Sequence, residues 1–336
     1  ALLYLQLFQP AGTPIFLVAA DQAINLGGAM QMVSGKAIYR DFFQYTFPGA
    51  ETLYAAAIDL MGAHAWLPNL ALVIVGALTA YLGVVLSRRI LFGLARFLPA
   101  AIFLAAFSTT LDATHHKFSV LFALAAFAIL IESRSARRLM IAGGLSAASA
   151  FFTQTRGVAC VIGIAAFVAW ECRRAGVPVR TIAAREFTFF GAFGVACAIA
   201  LLPFMVNVGL ARFVSLTIGF PIHYYGAQAD SNTWRVLIGD GFPPAWPWYR
   251  VPYFSLFWAI RFLPLVYIPF LFVFRAIPEE QAEKRSDLML VAVCGASMLT
   301  SIAYAPMLMR VSELLLPTLI IAVWLLDRAP RFRYPA

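Results

Sequence analysis

An all-α, polytopic membrane fold with about ten transmembrane helices is what this sequence predicts, from three observations. Of its 336 residues, 62% are hydrophobic and only 12% charged. Soluble domains carry about 25% charged residues, so this chain lacks the charge to cover a water-facing surface of its size. Apolar runs recur along the whole length, each long enough or nearly long enough to cross a hydrocarbon core of about 30 Å as a helix. Alternating strand patterns are absent, so helices must satisfy the backbone hydrogen bonds in lipid. The reading is one transmembrane domain over 1–336, with no large soluble domain.

The elements follow in order. Leu2 to Phe8 is too short to span and reads as the end of a first helix. A mixed-polarity segment over 12–65 reads as a first outer loop with interfacial helices. Tyr39, Phe42, Phe43, Tyr45 and Phe47 give it the aromatic density of a membrane interface. Pro48-Gly49 marks a break, and Glu51 to Met61 reads as a short helix. Spans are then expected over Trp66–Leu86, Phe97–Thr109 and Phe118–Ile131. Leu139–Trp170 reads as a hairpin of two short spans interrupted by Thr153-Gln154-Thr155-Arg156-Gly157. Phe187–Val208 is another span, and 209–251 a second long outer loop. Phe257–Phe274, Leu288–Tyr304 and Leu314–Leu326 complete the set. The four cysteines, Cys160, Cys172, Cys197 and Cys294, lie in or beside apolar runs without ligand spacing and read as packing residues.

Charge sets the orientation. The net charge of +9 sits mostly in short links between apolar runs, which points to anchoring and not to nucleic acid. Alternate links hold sixteen and nine of the lysines and arginines. The richer set includes Arg88, Arg89, Arg134, Arg137, Arg138, Arg173 and Arg174, and is expected in the cytoplasm. Both long loops then face outside.

That outer face gathers Asp21, Asp41, Asp112, His115, His116, Gln154, Arg156, His223, Tyr224, Tyr225 and Arg310. Charges at membrane depth are expensive, so such residues face cavities, pair, or serve function. A carboxylate in a dry site can act as a general base. Arginine forks suit a phosphate, and Arg156 and Arg310 are the better candidates because they sit just inside the outer boundary. Together these residue types suit group transfer from a phosphate-linked donor.

The order of the outer-loop motifs carries a resemblance. Asp21-Gln22-Ala23, then Gly35-Lys36-Ala37-Ile38-Tyr39-Arg40-Asp41-Phe42-Phe43, then Phe47-Pro48-Gly49, resembles the first outer loop of the GT-C glycosyltransferase superfamily. It is most similar to bacterial relatives of the dolichyl-phosphate-mannose–protein mannosyltransferases. Leu111-Asp112-Ala113-Thr114-His115-His116 resembles that family's second acidic site. Gln154-Thr155-Arg156-Gly157 and Arg310-Val311-Ser312-Glu313, with Pro317 beyond, fall where relatives carry polar motifs. The resemblance implies an inverting transfer from a polyprenyl-phosphate sugar at the extracytoplasmic face of a bacterial inner membrane. Asp21 would be the general base, with Asp112 as the second catalytic carboxylate. Arg156, Arg310, Asp41, Gln154, His115, His116 and Tyr224 would bind substrate and phosphate. The partners implied are the lipid-linked sugar, membrane lipid and a glycan, lipid or protein acceptor, with no nucleic acid. No cofactor is specified, although a divalent metal is an alternative at His115-His116. The chain departs from its relatives at Gln22, where they carry a second carboxylate.

Blander readings stand beside these. Asp21 and Asp112 sit where helix caps sit. Asp41 beside Arg40 fits a structural pair, Arg156 and Arg310 fit snorkelling, and His223-Tyr224-Tyr225 and Trp234, Trp246 and Trp248 fit an aromatic belt. Two other functions compete: a non-catalytic GT-C-like subunit of a larger membrane complex, and a lipid or solute transporter. Matched Gly/Pro-broken helices in two halves, the usual sign of a transporter, are not found.

Overall fold

The computed structural model describes residues 20–108, 110–224, 259–303 and 308–328. Among these residues every named element is helical, and the one pairing of extended backbone is an isolated bridge between Ile38 and Phe42. The expected first-helix fragment Leu2–Phe8, Tyr225 and the belt tryptophans Trp234, Trp246 and Trp248 lie outside the described residues.

Two short helices come first, α1 (Ala20–Val33) and α2 (Gly49–Met61). They pack on each other, and Pro48 precedes α2 where the sequence marks a break. Then come α3 (Leu67–Ser87), α4 (Leu98–Phe107), α5 (His115–Glu132), α6 (Ala136–Phe152), α7 (Gln154–Arg174) and α8 (Val179–Val208). After α8 the chain re-enters helix at once as α9 (Leu210–His223), which contains a π turn over Ser215–Gly219. The remainder is α10 (Tyr267–Arg275), α11 (Ala282–Thr300), the short α12 (Leu308–Glu313) and α13 (Leu315–Arg328).

Four of these helices, α3, α5, α7 and α8, are long and apolar enough to cross a membrane. The expected total of about ten is therefore not reached among the described residues. The apolar run beginning at Phe97 opens with a 3-10 turn over Gly93–Phe97, which leaves only ten residues for α4. The hairpin of α6 and α7 is broken at Thr153 alone, whose extended backbone (φ −145°, ψ 111°) ends one helix and starts the next. The polar residues Gln154 to Gly157, expected as an interruption, are the first turn of α7.

The core lies between α3, α4, α5, α7, α11 and α13, around Leu86, Phe103, Phe127, Phe167, Leu290 and Trp324. Helix α13 is buried from Leu315 through Ile321, as expected of a helix apolar on all sides and enclosed by others. In contrast, α8 buries only Phe189 and Leu201 and turns an apolar face outward.

Lipid tails are as apolar as leucine, so helix pairs here gain from close backbone approach through small residues. A Cβ built on Gly157 would lie 2.3 Å from the Ala150 Cα, so the hairpin closes only with glycine there. Gly191 on α8 has nothing within 4 Å of such a Cβ. Gly157→Val is expected to cost about 3 kcal/mol or more by overpacking, and Gly191→Val to cost far less. Thermal unfolding of the two variants in one detergent checks this, and equal midpoints would contradict it.

At the ends of α3, α5 and α7 and the start of α11, ion pairs tie the helices together. Arg88 bonds Glu132 at 2.5 Å, and Arg89 bonds Glu283 at 3.0 Å. Arg134 reaches both Asp287 at 2.6 Å and Glu171 at 3.3 Å. Three arginines expected only as orientation signals therefore also hold helices together. Asp287 is almost fully buried, which makes its guanidinium partners a requirement of the fold.

The segment between α1 and α2 is ordered by its own polar groups. Tyr39 is buried with φ at +69° and donates its hydroxyl to the Thr46 carbonyl at 2.6 Å. Asp41 accepts from the Ala37 N–H at 2.7 Å and pairs with Arg40 at 2.9 Å. Tyr39 and Phe47 then pack on Phe213 of α9, so the two expected outer loops lie against each other.

Candidate functional site

A cavity of about 490 Å³ opens at the end of the molecule opposite the Arg134 network. Seven segments of chain build its wall. The first turn of α1 supplies Asp21, and the loop before α2 supplies Tyr45 and Thr46. His115 and His116 begin α5, while Thr153 to Arg156 begin α7. The π turn of α9 brings in Thr217 and Ile218, with Pro221 and Ile222 one turn on. Ser301 and Ile302 follow α11, and Arg310 lies on α12. The lining thus combines charged side chains with apolar ones, a combination suited to an amphipathic ligand.

Asp21, His115, His116, Gln154, Arg156 and Arg310, six of the residues expected to bear function, meet in this one cavity. Their environments differ. Gln154 donates to the Tyr45 carbonyl at 3.0 Å and to the Thr217 carbonyl at 3.1 Å, which commits its amide N–H groups to joining the two loops. Arg156 is 1% exposed, bonds Glu313 at 2.6 Å and donates to the His116 carbonyl at 2.7 Å. The rings of His115 and His116 lie 4.1 Å apart, and the buried His115 Nδ1 has no partner among the described residues.

Asp112 is buried and sits behind the cavity wall. Burial pushes its carboxyl up to about 6, and the negative charge of Asp21 adds to this. The Lys117 charge and the Gln22 backbone N–H oppose the shift. Gln22 itself is fully buried: its amide donates to Asn69 at 3.0 Å and accepts from the Ala113 N–H at 3.1 Å. The amide at position 22 therefore supplies both a donor and an acceptor to α3 and to the loop that carries Asp112. An ionised carboxylate has no donor to give.

Two expected residues lie elsewhere. Asp41 clamps the turn at 37–42 and does not line the cavity. Tyr224 is two-thirds exposed, with its ring stacked on Phe220, and does not line the cavity either. Sequence reasoning missed Thr217, Ile218, Pro221 and Ile222, because a segment after Gly209 reads as loop. It also missed Glu313 as the partner of Arg156, since nothing local couples positions 157 residues apart. The charge of Glu313 at the end of an apolar stretch was the one available signal.

Two solved structures share this architecture. ArnT from Cupriavidus metallidurans, solved with undecaprenyl phosphate bound, aligns over 94% of this chain at 16% identity with a TM-score of 0.58. The archaeal oligosaccharyltransferase AglB from Archaeoglobus fulgidus, solved with an inhibitory peptide and a dolichol-phosphate, aligns over 97% at 13% identity, also with a TM-score of 0.58. Both are GT-C glycosyltransferases. The chain has a GT-C fold.

The GT-C fold agrees with the ordered outer-loop motifs and with the four long apolar helices. The chain spans 57% of the length of ArnT and 49% of that of AglB. No family model matches the chain, and no curated protein is a significant match. Among the described residues no three of His, Cys, Asp and Glu are grouped as a metal set.

Proposed function

We propose that this chain is a membrane-embedded glycosyltransferase. It moves a sugar from a polyprenyl-phosphate donor to an acceptor at the extracytoplasmic face of a bacterial inner membrane, where both long loops lie. One observation carries the reading: Asp21 and Arg310 open onto the same cavity, which Ile218 and Ile222 also line. A carboxylate, a guanidinium and an apolar surface match the three parts of the reaction: acceptor hydroxyl, lipid phosphate and prenyl chain.

In this reading Asp21 takes the proton of the acceptor hydroxyl. The oxygen attacks the anomeric carbon, and the bond from that carbon to the phosphate oxygen breaks. Arg310 stabilises the charge left on the lipid phosphate. A single displacement inverts the anomeric configuration. Asp112 acts from behind as the second carboxylate, with the His115 and His116 rings bordering the sugar. The acceptor is a glycan, a lipid or a protein.

Binding tests the reading before the sugar is known. The purified chain in detergent is expected to bind undecaprenyl phosphate at least about tenfold more tightly than undecaprenol, and Arg310→Ala to remove that preference, because a charge-assisted hydrogen bond contributes about 1.5–3 kcal/mol. Native mass spectrometry of both lipids gives the ratio. Equal binding of phosphate and alcohol by the unaltered chain would overturn the reading.

A further inference from the structure

The cavity wall holds two arginines, Arg156 and Arg310, and both are natural phosphate ligands by chemistry. Their surroundings separate them. Arg156 and Glu313 are each 1% exposed at the side chain and lie 2.6 Å apart. A second guanidinium nitrogen of Arg156 is spent on the His116 carbonyl. Behind the pair, Lys117 donates to the Thr110 carbonyl and lies over the Phe107 ring, and Asp112 is buried nearby. The formal charges of this inner layer cancel: Arg156 and Lys117 against Glu313 and Asp112. Asp21 and Arg310 line the cavity as well.

Glu313 also shares α12 with Arg310, three residues earlier, and residues at that spacing are neighbours on a helix surface. Helix α12 has only six residues. A buried ion pair is a strong tie for so short a segment, because separating it would strand two charges. We infer that Arg156 and Glu313 are a positioning pair that docks α12 onto α7 and so places Arg310, and that Arg156 does not itself bind the phosphate. This rests on the glycosyltransferase reading, which supplies the phosphate.

The test is an epistasis measurement on the whole chain, with undecaprenyl phosphate and undecaprenol as probes. Arg156→Met strands the Glu313 carboxylate in the wall, where it repels an anionic ligand and loosens α12. Phosphate binding should fall about tenfold or more while undecaprenol binding holds. Adding Glu313→Leu removes the stranded charge and packs an apolar pair in its place, an exchange that buried ion pairs often tolerate. The double variant should recover to within about threefold of the unaltered chain. A double variant as weak as Arg156→Met would make Arg156 a direct phosphate ligand and overturn the inference. So would an Arg156→Met variant with unchanged phosphate preference, or equal losses for both lipids. Should Arg156→Met fail to fold, the double variant alone decides against the unaltered chain by the same threefold and tenfold margins. Absence of phosphate preference in the unaltered chain sinks the underlying reading instead, so the two failures are distinguishable.

Discussion

Asp21→Asn is expected to lower sugar transfer by about 10²- to 10⁴-fold while leaving undecaprenyl phosphate binding within a few-fold of the unaltered chain, the pattern of a lost general base. The substitution keeps size and removes only the ability to take a proton. Position 21 lies in the first turn of α1, where amide and carboxylate are both good helix-start residues, so the fold should tolerate it. The measurement is transfer in vesicles from a panel of polyprenyl-phosphate sugars, with lipid binding followed in parallel. Transfer that persists in the variant would remove Asp21 from the chemistry. Loss of binding together with transfer would give Asp21 a structural role.

The second large effect concerns stability and pH. Glu51 on α2 is 1% exposed, and burial pushes its carboxyl up to about 7, against the Gln44 amide that bonds it and holds it down. One of its oxygens, Oε2, has no partner among the described residues. A raised carboxyl binds its proton more tightly in the folded chain than in the unfolded one. Stability should therefore be highest below the ordinary glutamate range, fall as pH rises toward about 7, and level off above it. Glu51→Gln keeps the shape and the bond from Gln44 but cannot ionise. At pH 8 it should exceed the unaltered chain in stability by on the order of 3 kcal/mol, and at pH 4 the two should nearly coincide. The variant keeps the smaller slope that Asp112 contributes below about 6. Thermal unfolding across pH checks this, and parallel curves for the two proteins would refute it. Gln44 also accepts from the N–H groups of Tyr45, at 2.9 Å, and Thr46, at 3.4 Å. Both of those residues line the cavity, so ionisation of Glu51 bears on the wall as well as on stability.

Much of this arrangement was legible in the sequence where the signal is local. Pro48-Gly49 announced α2, and the apolar runs announced α3, α5 and α8. The order of short polar motifs was enough to bring Asp21, His115, His116, Arg156 and Arg310 to one end. The failures share a cause: polarity was read as exposure. Gln154 and Arg156 are polar, yet α7 begins with them, because partners from distant segments satisfy them in place. The segment from Leu210 to His223 read as loop, but its aromatic and aliphatic residues pack on Tyr39 and Phe47 as helix. Arg88, Arg89 and Arg134 read as markers of orientation, and their bonds to Glu132, Glu283 and Asp287 depend on how the helices assemble.

Those same bonds have a mechanical consequence. Helices α5, α7 and α11 are fastened to one another at one end by Arg134, Glu171 and Asp287, and at the other end they border empty space. They are laid out like the arms of a pair of tongs, with the arginine knot at the pivot and the cavity between the tips. Over a helix of about 20 residues the lever arm is roughly 30 Å, so a small tilt at the pivot becomes a displacement of ångströms at the jaws. The width of the cavity is then tied to side chains at the far end of these helices, which do not line it.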